Sequence, residues 1–108
     1  MIFAIIGFNV NKEVRFYRLY KKSVDIEYIK SKYAGMVIAF VIDREENTLF
    51  VSNVISRMMQ ALDILMNRVC ELNLIYCLDK VYALVDGFVC DGKIIDMEPL
   101  RIAGHGQH

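Results

Sequence analysis

The sequence predicts an α+β fold, an antiparallel sheet of about four strands followed by two helices packed on one face. Three observations predict it. As far as Ile42 the apolar residues alternate or run unbroken, the signature of strands. From Thr48 onward they recur at helical spacing. Polar or glycine-containing turns at 9–12, 21–23, 34–35 and 43–47 separate the runs. Strands first and helices afterwards is a layered α+β pattern, not an alternating βαβ one.

The first strand runs from Ile2 to Val10, with Ile2, Ala4, Ile6 and Phe8 on one side and Phe3, Ile5 and Gly7 on the other. Both sides are apolar, which marks a central strand covered twice. Val14 to Tyr20 alternates, Val14, Phe16 and Arg18 against Arg15, Tyr17 and Leu19, and completes a hairpin. Val24 to Tyr33 is a third strand of mixed polarity. Met36 to Ile42 is continuously apolar and is a second central strand. The first helix spans Thr48 to Val69, with Val51, Val54, Ile55, Met58, Leu62, Leu65, Met66 and Val69 on one stripe and Asn47 or Thr48 as its cap. A second helix starts at Asn73, aligns Leu74, Leu78, Val81, Val85 and Phe88, and ends at Asp91-Gly92 with the glycine as a left-handed cap. The domain is expected over residues 1–96, with a tail at 97–108. Two helices cover one sheet face only, so the other must be covered by something the chain does not supply.

Composition supports that deficit. The chain has 108 residues, enough for one domain, and 56% of them are hydrophobic. Its mean hydropathy of +0.33 is high for a small free-standing domain. Such an apolar excess points to a partner surface. Thirteen basic residues balance thirteen acidic ones, which argues against nucleic-acid binding. The apolar N-terminus is broken at Asn9 and is neither a signal peptide nor long enough to span a bilayer, so a cytoplasmic protein is expected. Cys70, Cys77 and Cys90 are odd in number and form no CxxC pair, so reduced core thiols are expected. The only histidines, His105 and His108, lie in the tail without a ligand set for zinc. No nucleophile–base pair, phosphate loop or metal-spaced carboxylate cluster is visible, which argues against an enzyme and against a cofactor.

One stretch is specific. Val69-Cys70-Glu71-Leu72-Asn73-Leu74-Ile75-Tyr76, then Asp79-Lys80-Val81-Tyr82 and Val85-Asp86, resembles the VCELDLIF…DKVY…VDE stretch of the small (sigma) chains of clathrin-adaptor complexes. The opening hairpin and the Tyr33-Ala34-Gly35 turn resemble the same family. The resemblance implies a longin-like fold and a non-enzymatic small subunit of a heterotetrameric coat adaptor in vesicle-mediated transport. Its partner would be a large adaptin chain, and its contact with membranes would be peripheral, through the complex. Another longin-type trafficking subunit, a coatomer small chain or tethering-complex subunit, is the alternative.

Two departures stand out. The family has a helix and an extra strand between Tyr20 and the strand ending at Tyr33, where six residues, Lys21 to Ile26, remain here. Six residues reach at most about 20 Å, enough to cross a few strands but not to form the helix. The family's C-terminal helices are also replaced by the short tail. Either a minimised subunit or the product of a shortened transcript would look this way.

The resemblance also implies a ligand, the acidic dileucine sorting signal of cargo tails. Ala34 and Met36 would line an apolar pocket beside the sheet, and Met59, Val69 and Leu74 would supply its helical walls. Arg15 would face the acidic end of the signal, and Arg68, where some members carry a small polar residue, would add charge or narrow the groove. Read from the residues alone, Met59, Val69 and Leu74 at helical spacing are more often plain core than pocket lining, and Arg15 is as readily a solvated strand charge as a ligand contact. Glu71 and Asn73 read as helix caps, and Asp79-Lys80 as a solvated helix face.

Overall fold

The two strands that are apolar on both faces take the centre of the sheet. A computed structural model describes residues 1–94. The predicted domain limit at 96 and the predicted tail, with His105 and His108, lie outside the described residues. Strands β1 (Ile2–Asn9), β2 (Val14–Leu19), β3 (Ile26–Tyr33) and β4 (Met36–Asp43) form one antiparallel sheet in the order β2-β1-β4-β3. The third strand starts two residues later than expected. Since β2 and β3 are opposite edges, residues 20–25 cross the end of the sheet. The Tyr20 and Lys21 N–H groups donate to the Phe3 carbonyl at 2.8 and 3.3 Å as the crossing begins.

Register separates the two faces. Ile5, Gly7 and Asn9 of β1 share a face with Phe40, Ile38 and Met36 of β4, and this face carries the main core. Ala4, Ile6 and Phe8, opposite Val41, Ala39 and Val37, make the other face. Strict alternation along β1 and β2 fails at two bulges. The β1–β4 register shifts between Ile2 and Ala4, so Ile2 joins the main core while Phe3 packs with Ala4 and Val41 on the opposite face. On β2, Gly7 pairs with Phe16 but Phe8 pairs with Val14, leaving Arg15 as the extra residue. Val14 therefore leaves the side of Phe16 and sits exposed on the second face. A bulge adds one residue to one strand and is invisible to a period-2 pattern.

Helix α1 (Thr48–Met66) lies over the main-core face. Asn47 Oδ1 accepts from the Phe50 N–H at 3.1 Å, the expected cap. The helix ends three residues earlier than predicted, because Asn67 adopts a left-handed φ of 61°. The connection is then pinned by Asp63 Oδ1, which accepts from the Val69 N–H at 2.8 Å. Val69 is still buried, but from the loop. By length and composition α1 would pass for a bilayer-crossing helix. Its apolar side is instead spent on the core, where Val51, Val54, Ile55, Met58 and Leu62 are buried.

The predicted second helix is two. Helix α2 (Glu71–Tyr76) and helix α3 (Leu78–Phe88) meet at Cys77, whose N–H donates to the Asn73 carbonyl while its own carbonyl accepts from Val81. No glycine or proline announces the break. Asp91-Gly92 is not a helix cap either. It is the two-residue turn of a small hairpin between β5 (Val89–Cys90) and β6 (Lys93–Ile94), with φ of 52° and 80°. Positive φ at both central residues is the type I′ signature, and Asp-Gly is among its favoured pairs. The turn seats on β1, where the Ile2 N–H donates to the Gly92 carbonyl at 3.0 Å. Against expectation, none of the three free cysteines is in the core; Cys70 and Cys77 are half-buried and Cys90 is exposed.

Two positions are sensitive to substitution. A Cβ on Gly7 would lie 2.0 Å from the Phe16 ring, which packs over that glycine. Gly7→Ala is expected to destabilise by about 1–3 kcal/mol, the usual cost of overpacking, measured as a lowered urea midpoint. Ala34 holds φ of 51° beside Gly35 at 82° in the β3–β4 turn. Ala34→Asn converts this to the preferred Asn-Gly pair and is expected to stabilise by about 0.5–1 kcal/mol, measured as a raised thermal midpoint.

Candidate functional site

The first hairpin is built around Asn9, the one buried polar residue among those described. Its Oδ1 accepts from the Asn11 and Glu13 N–H groups, both at 2.9 Å, which folds the turn. Its Nδ2 donates to Glu13 Oε1 at 3.1 Å and to Glu71 Oε2 at 2.6 Å, linking the turn to α2 across the chain. The bulge at Arg15 aims a second donor at the same acceptor. Arg15 Nε donates to Glu71 Oε2 at 2.9 Å, and Glu13 lies 3.8 Å from the guanidinium. Glu71 is thus not a helix cap, and Arg15 is not a solvated charge. These hydrogen bonds, Arg15's first and Asn9's second, hold the Glu71 carboxyl below its ordinary value of 4.5.

A second tie lies three residues along β2. Arg18 forms a two-pronged pair with Asp86, at 3.0 and 3.1 Å, and its guanidinium stands 4.2 Å over the Tyr82 ring. Tyr82 meets Phe16 edge to face at 6.3 Å, and its hydroxyl accepts from the Tyr17 N–H at 3.2 Å. Three residues of the specific stretch, Glu71, Tyr82 and Asp86, are therefore what fastens the helices to β2. Asp79 and Lys80 are exposed, as expected of a solvated face. Asn73 donates to the Arg68 carbonyl at 3.0 Å, closing the loop before α2. Just beyond β2, burial pushes the Tyr20 hydroxyl up to about 12.

Four of the seven predicted site residues sit in the main core, which runs through the whole domain. Met36, Met59, Val69 and Leu74 belong to one core cluster and are buried. Met36 pairs in register with Asn9, whose amide holds Glu71, so Arg15 and the helix carrying Leu74 converge on the same end of the sheet. Ala34 is exposed in its turn. Arg68 is exposed, and among the described residues its side chain has no ion pair. Beside Met59 a shallow groove of about 270 Å³ opens between β3 and α1, lined by Tyr33, Ser31, Gln60 and Asp63. No group of three His, Cys, Asp or Glu side chains suited to a metal occurs among the described residues. Asn9 and Arg18 went unread in the sequence, where the only signal was a polar residue closing an apolar strand and a charge on the core side of the next one.

Comparisons with known proteins bear on this arrangement. The family model of the clathrin adaptor complex small chain matches residues 8–105. The chain is 32% identical over 78 residues to the AP-3 complex subunit sigma of Dictyostelium discoideum, covering 72% of this chain and 46% of that protein. It is 35% identical over 70 residues to the AP-2 complex subunit sigma of the same organism, covering 65% and 48%. It is 31% identical over 78 residues to the AP-4 complex subunit sigma-1 of Homo sapiens, covering 72% and 54%. The chain spans about half the length of these curated relatives. A chain in the homology model of the full-length AP-3 complex in a stretched open conformation superposes with a TM-score of 0.79 at 19% identity, covering 99% of this chain and 92% of that one. That likeness shows the longin-like fold.

The depressed carboxyl of Glu71 gives a signed pH dependence. A group whose folded value is lowered stabilises above its unfolded value, and this is lost as pH falls through the folded one. The stability advantage of the native chain over Glu71→Gln is expected to be full at pH 7 and to shrink as pH drops below 4.5. Urea midpoints of both proteins across that range measure it; a gap that persists undiminished at pH 2–3 would contradict the ion pair.

Proposed function

Because the chain belongs to the clathrin adaptor complex small chain family, we propose that it acts as a sigma-type subunit of a heterotetrameric adaptor in vesicle-mediated intracellular protein transport. In this reading it has no enzymatic activity. It packs against a large adaptin chain, stabilises the complex core, and helps read acidic dileucine signals on cargo tails. It works in the cytoplasm, at the face of coated membranes, which it meets only through the complex.

The convergence on Glu71 is the observation that supports signal reading. An acidic dileucine segment needs a cation beside an apolar recess. Here Arg15 stands at the start of α2, and Val69, Leu74 and Met36 lie around that same helix end. Met59 lines the shallow groove between β3 and α1, and Ala34 follows Tyr33 of that groove into the β3–β4 turn. Methionines at 36 and 59 are adaptable walls.

Affinity capture of the tagged chain from its native cytosol tests assembly. Recovery of a large adaptin with a medium chain and a second large chain is the expected result; recovery of the chain alone, or with chaperones only, would overturn the subunit reading. Captured complexes passed over an immobilised acidic dileucine peptide test recognition. Arg15→Ser is expected to lower retention several-fold without lowering recovery of the adaptins.

A further inference from the structure

We propose that the sheet face turned away from the helices is a docking surface for a single amphipathic helix with acidic flanks, supplied by a partner protein. Ala4, Ile6, Ala39 and Val41, from the two central strands, make its floor. Leu19 rises from one edge strand and Tyr28 from the other, 57% and 64% exposed, and the trough between them encloses about 520 Å³. The described residues put no helix on this face. Val24, on the crossing segment, is fully exposed at its end.

Width argues for a helix. The walls stand on strands three spacings apart, roughly 14 Å at about 4.8 Å per spacing. One helix with its side chains measures about 10–12 Å and fills that width. Small floor residues, Ala4 and Ala39, let it approach closely.

Charge argues for acidic flanks and against a second copy of this chain. Lys21 and Lys22 line the trough, and Lys30 stands on the same face in register with Ala39. All three are exposed, and among the described residues none is in an ion pair. Of the residues that register places on this face, Asp43, at the far end of β4, is the one carboxylate. Two copies meeting face to face would crowd lysines against lysines, whereas glutamates flanking an apolar helix stripe would meet them. The surface belongs to the sheet itself, so this proposal and the adaptor reading fail separately.

The test uses the full chain and a designed 18-residue helical peptide with leucines at i, i+3, i+4 and i+7 flanked by glutamates, beside a twin carrying lysine at every glutamate. Anisotropy is expected to show the acidic peptide binding at least roughly 10-fold more tightly than its twin, an effect of charge complementarity that added salt weakens. The double variant Lys21→Glu/Lys22→Glu is expected to reverse the preference, and a reversal, unlike a loss, requires a folded protein. Leu19→Asp, on an exposed side chain, is expected to weaken both peptides. Equal affinity for the twins, or a preference that the lysine reversal leaves unchanged, overturns the proposal. So does light scattering that finds a dimer dispersed by Leu19→Asp, acidic-peptide binding that appears only after residues 97–108 are removed, or capture by anionic vesicles in place of the peptide.

Discussion

A sheet whose two central strands are apolar on both faces has to be covered twice, and the helices among the described residues cover it once. That constraint organises the molecule. Ile5, Phe40, Ile38 and Met36 on one face are sealed beneath α1 and α3. On the other, Ala4, Val41 and Phe3 achieve burial only as a small cluster, helped by Ile26 where the crossing segment enters β3. The six-residue crossing is too short to form a covering layer. Exposed aromatic and aliphatic side chains on the edge strands are the consequence, and a contiguous apolar face of this kind marks an interaction surface.

On the covered face, apolar burial holds the layers together, and polar contacts set how they are aligned. Nonpolar packing is indifferent to small rotations of α2 and α3 over the sheet. The ties from β2 are not. Arg15 and Asn9 share Glu71, while Arg18 grips Asp86 and lies over Tyr82. Each exposed ion pair is weak by itself, but two ties on one strand, anchored at both ends of the helical segment, leave little freedom in register. The stretch that resembles this family is thus a fastening, and two of its carboxylates, Glu71 and Asp86, are engaged within the chain.

Central strands, the α1 stripe and the order of elements followed from periodicity, because burial imposes periods of 2 and 3.6 directly on the sequence. What periodicity missed has a common cause. The bulges at Phe3 and Arg15 are set by pairing between strands, and moved Ile2 and Val14 to faces that strict alternation denies them. The break at Cys77 has no glycine or proline to mark it. Asp91-Gly92 carried a hairpin signal that was outweighed by the helical run before it, since glycine after a helix and glycine in a type I′ turn use the same left-handed backbone. Of the site, Met59, Val69 and Leu74 were readable as core from their helical spacing, and all three are buried. The charged partners were not, for a carboxylate 56 residues away from its arginine leaves no local trace.

The two halves of the proposed signal site therefore differ in readiness. Its charged half is engaged but exchangeable. Arg15 is paired with Glu71 near the surface, and an incoming carboxylate replaces one acceptor with another of the same charge. Its apolar half is closed. Met36, Val69 and Leu74 are almost wholly buried, and uncovering side chains of this size costs about 1.5–3 kcal/mol each when no ligand replaces the lost contacts. Two leucines entering the recess return much of that, provided α2 shifts away from Met36. Such a shift would have to loosen the Asn9 and Arg15 bonds to Glu71 at the start of α2, and the two that hold the loop before it, from the Val69 N–H to Asp63 and from Asn73 to the Arg68 carbonyl. Recognition in this reading is governed by the seating of α2.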